Sequence, residues 1–239
     1  MGRARQQVHA ASPRRDAAVE SSGLGTQARA WREHYEQLRS APKAFTDEVP
    51  DPEQPGHHII IVKHYQRNDP TAAVLHRIGG PARVETWDNG DRVETYFYRG
   101  QLHREDGPAR IETGVDGSHF EFYFQKGHPH REDGPAVSGT EADGTTSVAY
   151  WHDGLLDRAD GPARITTRVD GTRIELYFRE GKRHREDGPA FVGQHPDGSR
   201  TEQYYRDDQL HREDGPAVIE IDAEGVCSEQ YFRAGKLRP

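Results

Sequence analysis

The sequence predicts an all-β repeat protein: six 27-residue β-hairpins forming an elongated, twisted antiparallel meander. Three observations carry that prediction. First, His-Arg-Glu-Asp-Gly-Pro-Ala occurs verbatim four times, at 103–109, 130–136, 184–190 and 211–217. Variants at 76–82 and 157–163 complete the set, and Gly-Pro-Ala recurs every 27 residues without insertion or deletion. A fixed period of this size is the signature of a repeat architecture. Second, each repeat holds two alternating apolar stretches around a Gly-centred turn, which is the pattern of a hairpin. Third, apolar residues make up only 32% of the chain and the mean hydropathy is −1.01. That is too little for a deep core and enough to cover a sheet. Tyr, Phe, Ile and Val recur in register, which argues against disorder in the array.

Taken in order, residues 1–25 are rich in Arg, Ala, Ser and Gly without periodicity and read as a disordered tail. Over 26–41, Trp31, Tyr35 and Leu38 fall at i, i+4 and i+7, predicting a short amphipathic helix with Thr26 as N-cap and Pro42 as its stop. Such a helix is too short to stand alone in water and needs a surface to dock on. Residues 42–56 are Pro-rich and read as a linker. A capping strand is predicted within 57–74, around Ile59 to Val62, where it would close the array's first edge.

The array itself runs over 75–239. After each Gly-Pro-Ala comes a first strand with inward positions Ala82/Val84, Ala109/Ile111, Ala163/Ile165, Ala190/Val192 and Ala217/Ile219; Ser138 departs from the column. Glycines 90, 117, 144, 171, 198 and 225 centre the hairpin turns. The second strand carries Val93/Thr95/Phe97 and its equivalents on one face and Glu-x-Tyr on the other. A further Gly ends each repeat, replaced once by Asp208, a residue type that tolerates a left-handed backbone. Six hairpins make about twelve strands, each repeat advancing roughly 9.6 Å at the usual strand spacing.

Charge divides unevenly. The formal net charge is −8, yet residues 1–45 hold eight Lys/Arg against four Asp/Glu, leaving the remainder at −12. An acidic array argues against nucleic acid or anionic membrane along its length and favours a partner with a basic surface. One cysteine, Cys227, permits no disulfide within the chain, and no apolar run reaches membrane length. The expectation is a cytoplasmic protein.

The columns resemble the MORN-repeat superfamily, and its bacterial variant most closely. Tyr123-Phe124-Gln125-Lys126-Gly127 and Tyr231-Phe232-Arg233-Ala234-Gly235-Lys236-Leu237 carry the likeness, with Arg-Glu-Asp lengthening the link from His to Gly-Pro-Ala. The resemblance covers 75–239 and implies an elongated antiparallel sheet acting as a scaffold or interaction module, with antitoxin-like relatives and no catalytic residues to carry over.

The residues themselves point the same way. His76, His103, His130, His184 and His211 form a column that suggests metal. Equivalent residues of neighbouring hairpins are about 9.6 Å apart by strand spacing, however, and metal–ligand bonds are near 2 Å. Within a repeat the spacing is His-x-Glu-Asp, with no second His or Cys. The expectation is therefore a charged turn and no metal or other cofactor: Asp takes backbone N–H bonds, Arg reaches the next repeat's acid, and His packs over a neighbouring turn. No nucleophile is singled out, so no enzyme is expected. Cys227 falls in a polar column with nothing to activate it. Tyr96, Tyr123, Tyr150, Tyr177, Tyr204 and Tyr231 fill one column without exception. Tyr is a residue of interfaces as well as of sheets. With Glu121, Glu175 and Glu202 these tyrosines are the candidate partner-binding residues. The function expected is a non-enzymatic protein-binding or scaffold module using an extended sheet face, antitoxin- or immunity-like as a special case. The alternatives are a structural protein that self-associates through its sheet ends and a membrane-surface adaptor.

Overall fold

The computed structural model describes residues 44–52, 58–64, 74–77 and 79–238. The tail and helix expected over 1–41 lie outside them, and all described residues belong to the unit Pro42–Pro239. Strands β1 (Ala44–Pro50) and β2 (His58–His64) come first. The first repeat then contributes β3 (Arg83–Trp87) and β4 (Arg92–Thr95), followed by a separate two-stranded ribbon of β5 (Phe97–Tyr98) and β6 (Gln101–Leu102). The next repeat follows the same plan with Arg110–Thr113, His119–Phe122 and a ribbon of Phe124–Gln125 and His128–Pro129. The plan continues to Cys227–Arg233, where the ribbon's first strand is continuous with the sheet strand and pairs with Lys236–Arg238.

The main strands form one 15-stranded antiparallel meander in which sheet neighbours follow chain order. Twelve of them are the hairpins that the period predicts. The described residues contain no helix, and none that could cross a membrane. The predicted capping strand is present as β2 and pairs with β3. It is not the outermost strand. β1 lies outside it and pairs along its whole length, Ala44 opposite His64 to Pro50 opposite His58. This strand falls in the stretch read as a linker: its only Pro is at its last position, where a missing donor matters least.

Two turn types alternate along the chain. At the main hairpin tips, Gly90 N–H bonds Trp87 C=O at 2.9 Å, and Trp87 N–H bonds Asp91 C=O at 2.9 Å. Gly90 has φ 97° while Asn89 keeps a negative φ. This is a three-residue loop closed by a left-handed Gly. At the ribbon tips both central residues are left-handed, Arg99 at 50° and Gly100 at 78°, as a type I′ turn requires. Asp208 adopts φ 64° in the place of that Gly, as its residue type predicts.

Register decides which residues share a face, because residues directly opposite in an antiparallel pair point the same way. Val84 stands opposite Glu94, Glu94 opposite Ile111, and Ile111 opposite Glu121. The Glu of each Glu-x-Tyr therefore shares its face with the Ile/Val column of the first strand, and neither face is purely apolar. Burial concentrates instead at one seam. Ala82, Ala109, Ala136, Ala163, Ala190 and Ala217, the last residues of the six Gly-Pro-Ala steps, are all 0% exposed. Each ties two strands together: Tyr96 N–H bonds Ala109 C=O at 2.7 Å, and Ala109 N–H bonds Phe122 C=O at 2.8 Å.

Since each repeat pairs only with its neighbours, removal of residues 130–156, one full period, should leave a shorter protein with β-type circular dichroism and a cooperative urea transition. Removal of 13 residues from the same place should abolish that transition, because strand direction no longer alternates. Equal folding of both variants would contradict the architecture.

Candidate functional site

The sequence-predicted Tyr column sits where the chain leaves the main sheet. Tyr96, Tyr123, Tyr150, Tyr177 and Tyr204 each donate their N–H to the buried Ala of the following Gly-Pro-Ala at 2.7–2.8 Å. Their carbonyls accept the N–H of His103, His130, Asp157, His184 and His211 at 2.9–3.2 Å. Ladder pairing with the neighbouring main strands ends at Thr95, and Phe97 begins a new ribbon paired with Leu102 instead of extending β4.

Each of these rings carries a guanidinium on one face. Arg104, Arg131, Arg158, Arg185 and Arg212 lie 3.9–4.1 Å from the centroids of Tyr96, Tyr123, Tyr150, Tyr177 and Tyr204. Cation–π attraction operates well within that distance. The same guanidinium groups donate to the Pro carbonyl four residues on, as in Arg131 to Pro135 at 3.3 Å and Arg158 to Pro162 at 3.3 Å. Arg104, Arg158 and Arg185 also hold the Asp two residues on, at 2.9, 3.2 and 2.9 Å. This replaces the expected bond to the next repeat's acid. Arg104 and Arg185 hold Asp106 and Asp187 below the ordinary carboxylate range, chiefly by that hydrogen bond. The Gly of Gly-Pro-Ala suits the same contact: a Cβ there would lie 2.9–3.3 Å from the guanidinium carbon across the six turns, so a side chain would push the Arg off its position.

The predicted Glu residues serve the tyrosines. Tyr123, Tyr177 and Tyr204 donate their hydroxyls to Glu121, Glu175 and Glu202 at 3.3–3.4 Å. Arg173 pairs with Glu175 at 2.7 Å, Arg200 pairs with Glu202, and His119 lies 3.8 Å from Glu121. Burial pushes the Tyr177 and Tyr204 phenols above their usual pKa, so they remain donors. Tyr231 differs. It donates to Glu229 at 2.8 Å, is 42% exposed, and has Pro239 eight residues on where the other tyrosines have Arg.

The His column caps the ribbon tips. The Nδ1 atoms of His76, His103, His130 and His211 accept the N–H of Arg99, Lys126, Asp153 and Ala234 at 3.1–3.3 Å. In repeat four the carboxylate of Asp157 does the same for Glu180 at 2.8 Å. The apparent irregularity at 157 is thus an exchange of one acceptor for another.

Between successive Arg-Glu-Asp turns the structure opens clefts. One, of about 540 Å³, has Tyr150, Trp151 and His152 as its floor and the turns at 131–134 and 157–160 as its walls. A second, of about 900 Å³, is floored by Tyr177, Phe178 and Arg179, and a third, of about 450 Å³, by Tyr204, Tyr205 and Arg206. Three of the predicted tyrosines are therefore brought into clefts, while Glu121, Glu175 and Glu202 line none of them. The residues that sequence reasoning missed are the walls: Glu132 is 78% exposed, Asp160 87%, Glu186 69% and Asp187 84%. Their signal was the verbatim Glu-Asp of the repeat.

No protein family matches the chain, and no curated protein does. Among solved structures, the SAS-4 (dCPAP) TCP domain in complex with a proline-rich motif of Ana2 (dSTIL) of Drosophila melanogaster aligns at 15% identity with a TM-score of 0.24. The alignment covers 86% of this chain and 99% of that one. A score of that size bears on neither fold nor partner.

If the His column acts as a hydrogen-bond acceptor, the repeat-four solution should transplant. His103→Asp combined with Glu105→Ala, which copies Asp157 and Ala159, should keep urea stability within about 0.5 kcal/mol of the parent. His103→Leu should lower it by about 1 kcal/mol, the usual worth of one such bond. Equal loss in both variants would assign the imidazole a packing role instead.

Proposed function

We propose that the chain is a non-enzymatic, MORN-like protein-binding module, and that its ligand is an extended basic segment of another protein lying along the row of clefts. The observation that carries this reading is the recurrence of one cleft design at three successive repeats, with an aromatic floor and exposed carboxylate walls. Glu186 is paired with Arg179 at 3.0 Å, and Asp160 and Asp187 with the Arg of their own turns, but carboxylates outnumber guanidinium groups in every cleft, four to two, five to three and four to three, so the net charge offered to a partner is negative. Tyr150, Tyr177 and Tyr204 supply rigid apolar area of the kind that anchors interfaces. Tyr96, Tyr123 and Tyr231 extend the column, with Glu121, Glu175 and Glu202 orienting the hydroxyls.

Spacing supports an extended ligand. Successive clefts are one repeat apart, roughly 9.6 Å by strand spacing, and three residues of extended chain span about 10 Å. A segment with Lys or Arg at every third position would place one cation in each cleft. The acidic array also opposes nucleic acid and anionic membrane as partners, and mutual attraction with a basic segment weakens as salt rises.

The test is fluorescence anisotropy with a labelled peptide of about twelve residues bearing Lys at every third position, against a peptide of equal composition with the Lys residues clustered. The spaced peptide should bind at least tenfold more tightly. Glu132→Lys with Asp133→Lys, both exposed in a cleft wall and neither paired with an arginine, should abolish the difference without lowering the melting temperature. Indifference to spacing and to the charge reversal would overturn the reading. Light scattering on the same samples reads self-association, which would move the function to the sheet ends.

A further inference from the structure

The His-x-Glu-Asp turn, taken alone, offers no second His or Cys, and equivalent turns of neighbouring repeats are too far apart to share an ion; the hairpin, however, returns a second His of the same repeat to that turn. His130, at the start of the third repeat, has His152 and Asp153 beside it, 22 and 23 residues later. The imidazole centroids of His130 and His152 are 4.8 Å apart. Asp153 Oδ1 lies 3.1 Å from His130 Nδ1, and Asp153 Oδ2 lies 3.7 Å from His152 Nδ1. One ligand atom from each of the three falls within 4.8 Å of the others.

We propose that His130, His152 and Asp153 bind a divalent first-row metal ion such as zinc. Ligand bonds near 2.1 Å in tetrahedral geometry set neighbouring ligand atoms roughly 3.4 Å apart. The separations of the Asp153 carboxylate from the two imidazoles, 3.1 Å from Oδ1 to His130 and 3.7 Å from Oδ2 to His152, straddle that value. The remaining gap closes by rotation of His152, whose side chain is 60% exposed. His130 is 7% exposed and fixed by its surroundings, so the site has one rigid and two adjustable ligands. Two imidazoles and a carboxylate without thiolate suit zinc, nickel or copper and not calcium or magnesium. The metal takes the Nδ1 lone pair that otherwise accepts Asp153 N–H. That amide is at an exposed ribbon tip, where water replaces the lost partner. His152 lines the cleft at 131–160, whose other charged groups are four carboxylates and two guanidinium groups, so the local field favours a cation.

The repeat provides its own controls. His184 and Asp207 form the same imidazole–carboxylate pair at 3.1 Å, but Arg206 stands where the third repeat has His152. At the other equivalent positions the residues are Tyr98, Gln125, Arg179 and Arg233. Only the third repeat, among the described residues, unites two imidazoles with a carboxylate.

The experiment is isothermal titration of zinc chloride into the tag-free full chain, with cobalt(II) absorption as a second readout. The expected result is one equivalent with a micromolar dissociation constant. His152→Ala and Asp153→Asn should each weaken it at least tenfold. His152 and Asp153 are exposed, and Asn tolerates the left-handed backbone at 153, so both variants should fold. His119→Ala, exposed and remote, should leave binding unchanged. Arg206→His should add a second equivalent beside His184 and Asp207. The proposal is overturned if no saturable equivalent appears, or if the equivalent survives His152→Ala.

Discussion

Everything regular in this protein depends on where one guanidinium sits. In five of the six Arg-x-x-Gly-Pro-Ala turns the Arg lies about 4 Å from the centroid of the Tyr eight residues earlier and donates to the Pro carbonyl; Arg77, which has no Tyr at that position, meets His64 Nε2 at 3.1 Å instead. Gly leaves room for the Arg, which a side chain there would displace. Pro sets the backbone so that its carbonyl meets the guanidinium. The Ala that follows is sealed at 0% exposure. A seven-residue string repeated verbatim is the expected result when one cation must fit three neighbours at once. The Arg also draws the turn over the ring, and two such turns in succession form the walls of a cleft whose floor contains the Tyr between them.

This arrangement explains how so polar a chain builds a sheet of 15 strands. A conventional hairpin sheet buries one apolar face; here both faces mix apolar and charged columns, and the fully buried residues are mostly alanines on one seam. Cation–π contacts and backbone hydrogen bonds take over the role that side-chain burial has elsewhere, and they recur identically because every repeat contacts only its neighbours. Tolerance follows the same logic. Asp157 substitutes for His because both present an acceptor, and Asp208 substitutes for Gly because both accept a left-handed backbone.

The period, the twelve hairpin strands and the positive-φ glycines were legible in the sequence because turn chemistry and alternation are local signals. The break in the strand at Tyr96 was not. Apolar alternation continues unbroken from Val93 through Phe97, and only the pairing of Ala109 with Tyr96 shows that the sheet strand stops. β1 was hidden by the prolines around it. The Tyr and Glu columns were legible as partner-binding candidates, but the clefts that contain Tyr150, Tyr177 and Tyr204, and the hydrogen bonds that Glu121, Glu175 and Glu202 accept from Tyr123, Tyr177 and Tyr204, were not, because both depend on how the turns fold over the rings. The proximity of His130 to His152 was also illegible, because it arises from a ribbon that periodicity did not reveal.

The central claim is that the Tyr–Arg stack couples each turn to the strand before it. A double-mutant cycle measures that coupling directly: Tyr150→Leu, Arg158→Met and the pair, compared with the parent by urea unfolding. The account predicts that the two losses are non-additive by about 1 kcal/mol or more, the magnitude of a partly desolvated cation–π contact. Additivity to within about 0.3 kcal/mol would mean that ring and guanidinium lie together without interacting, and would contradict it.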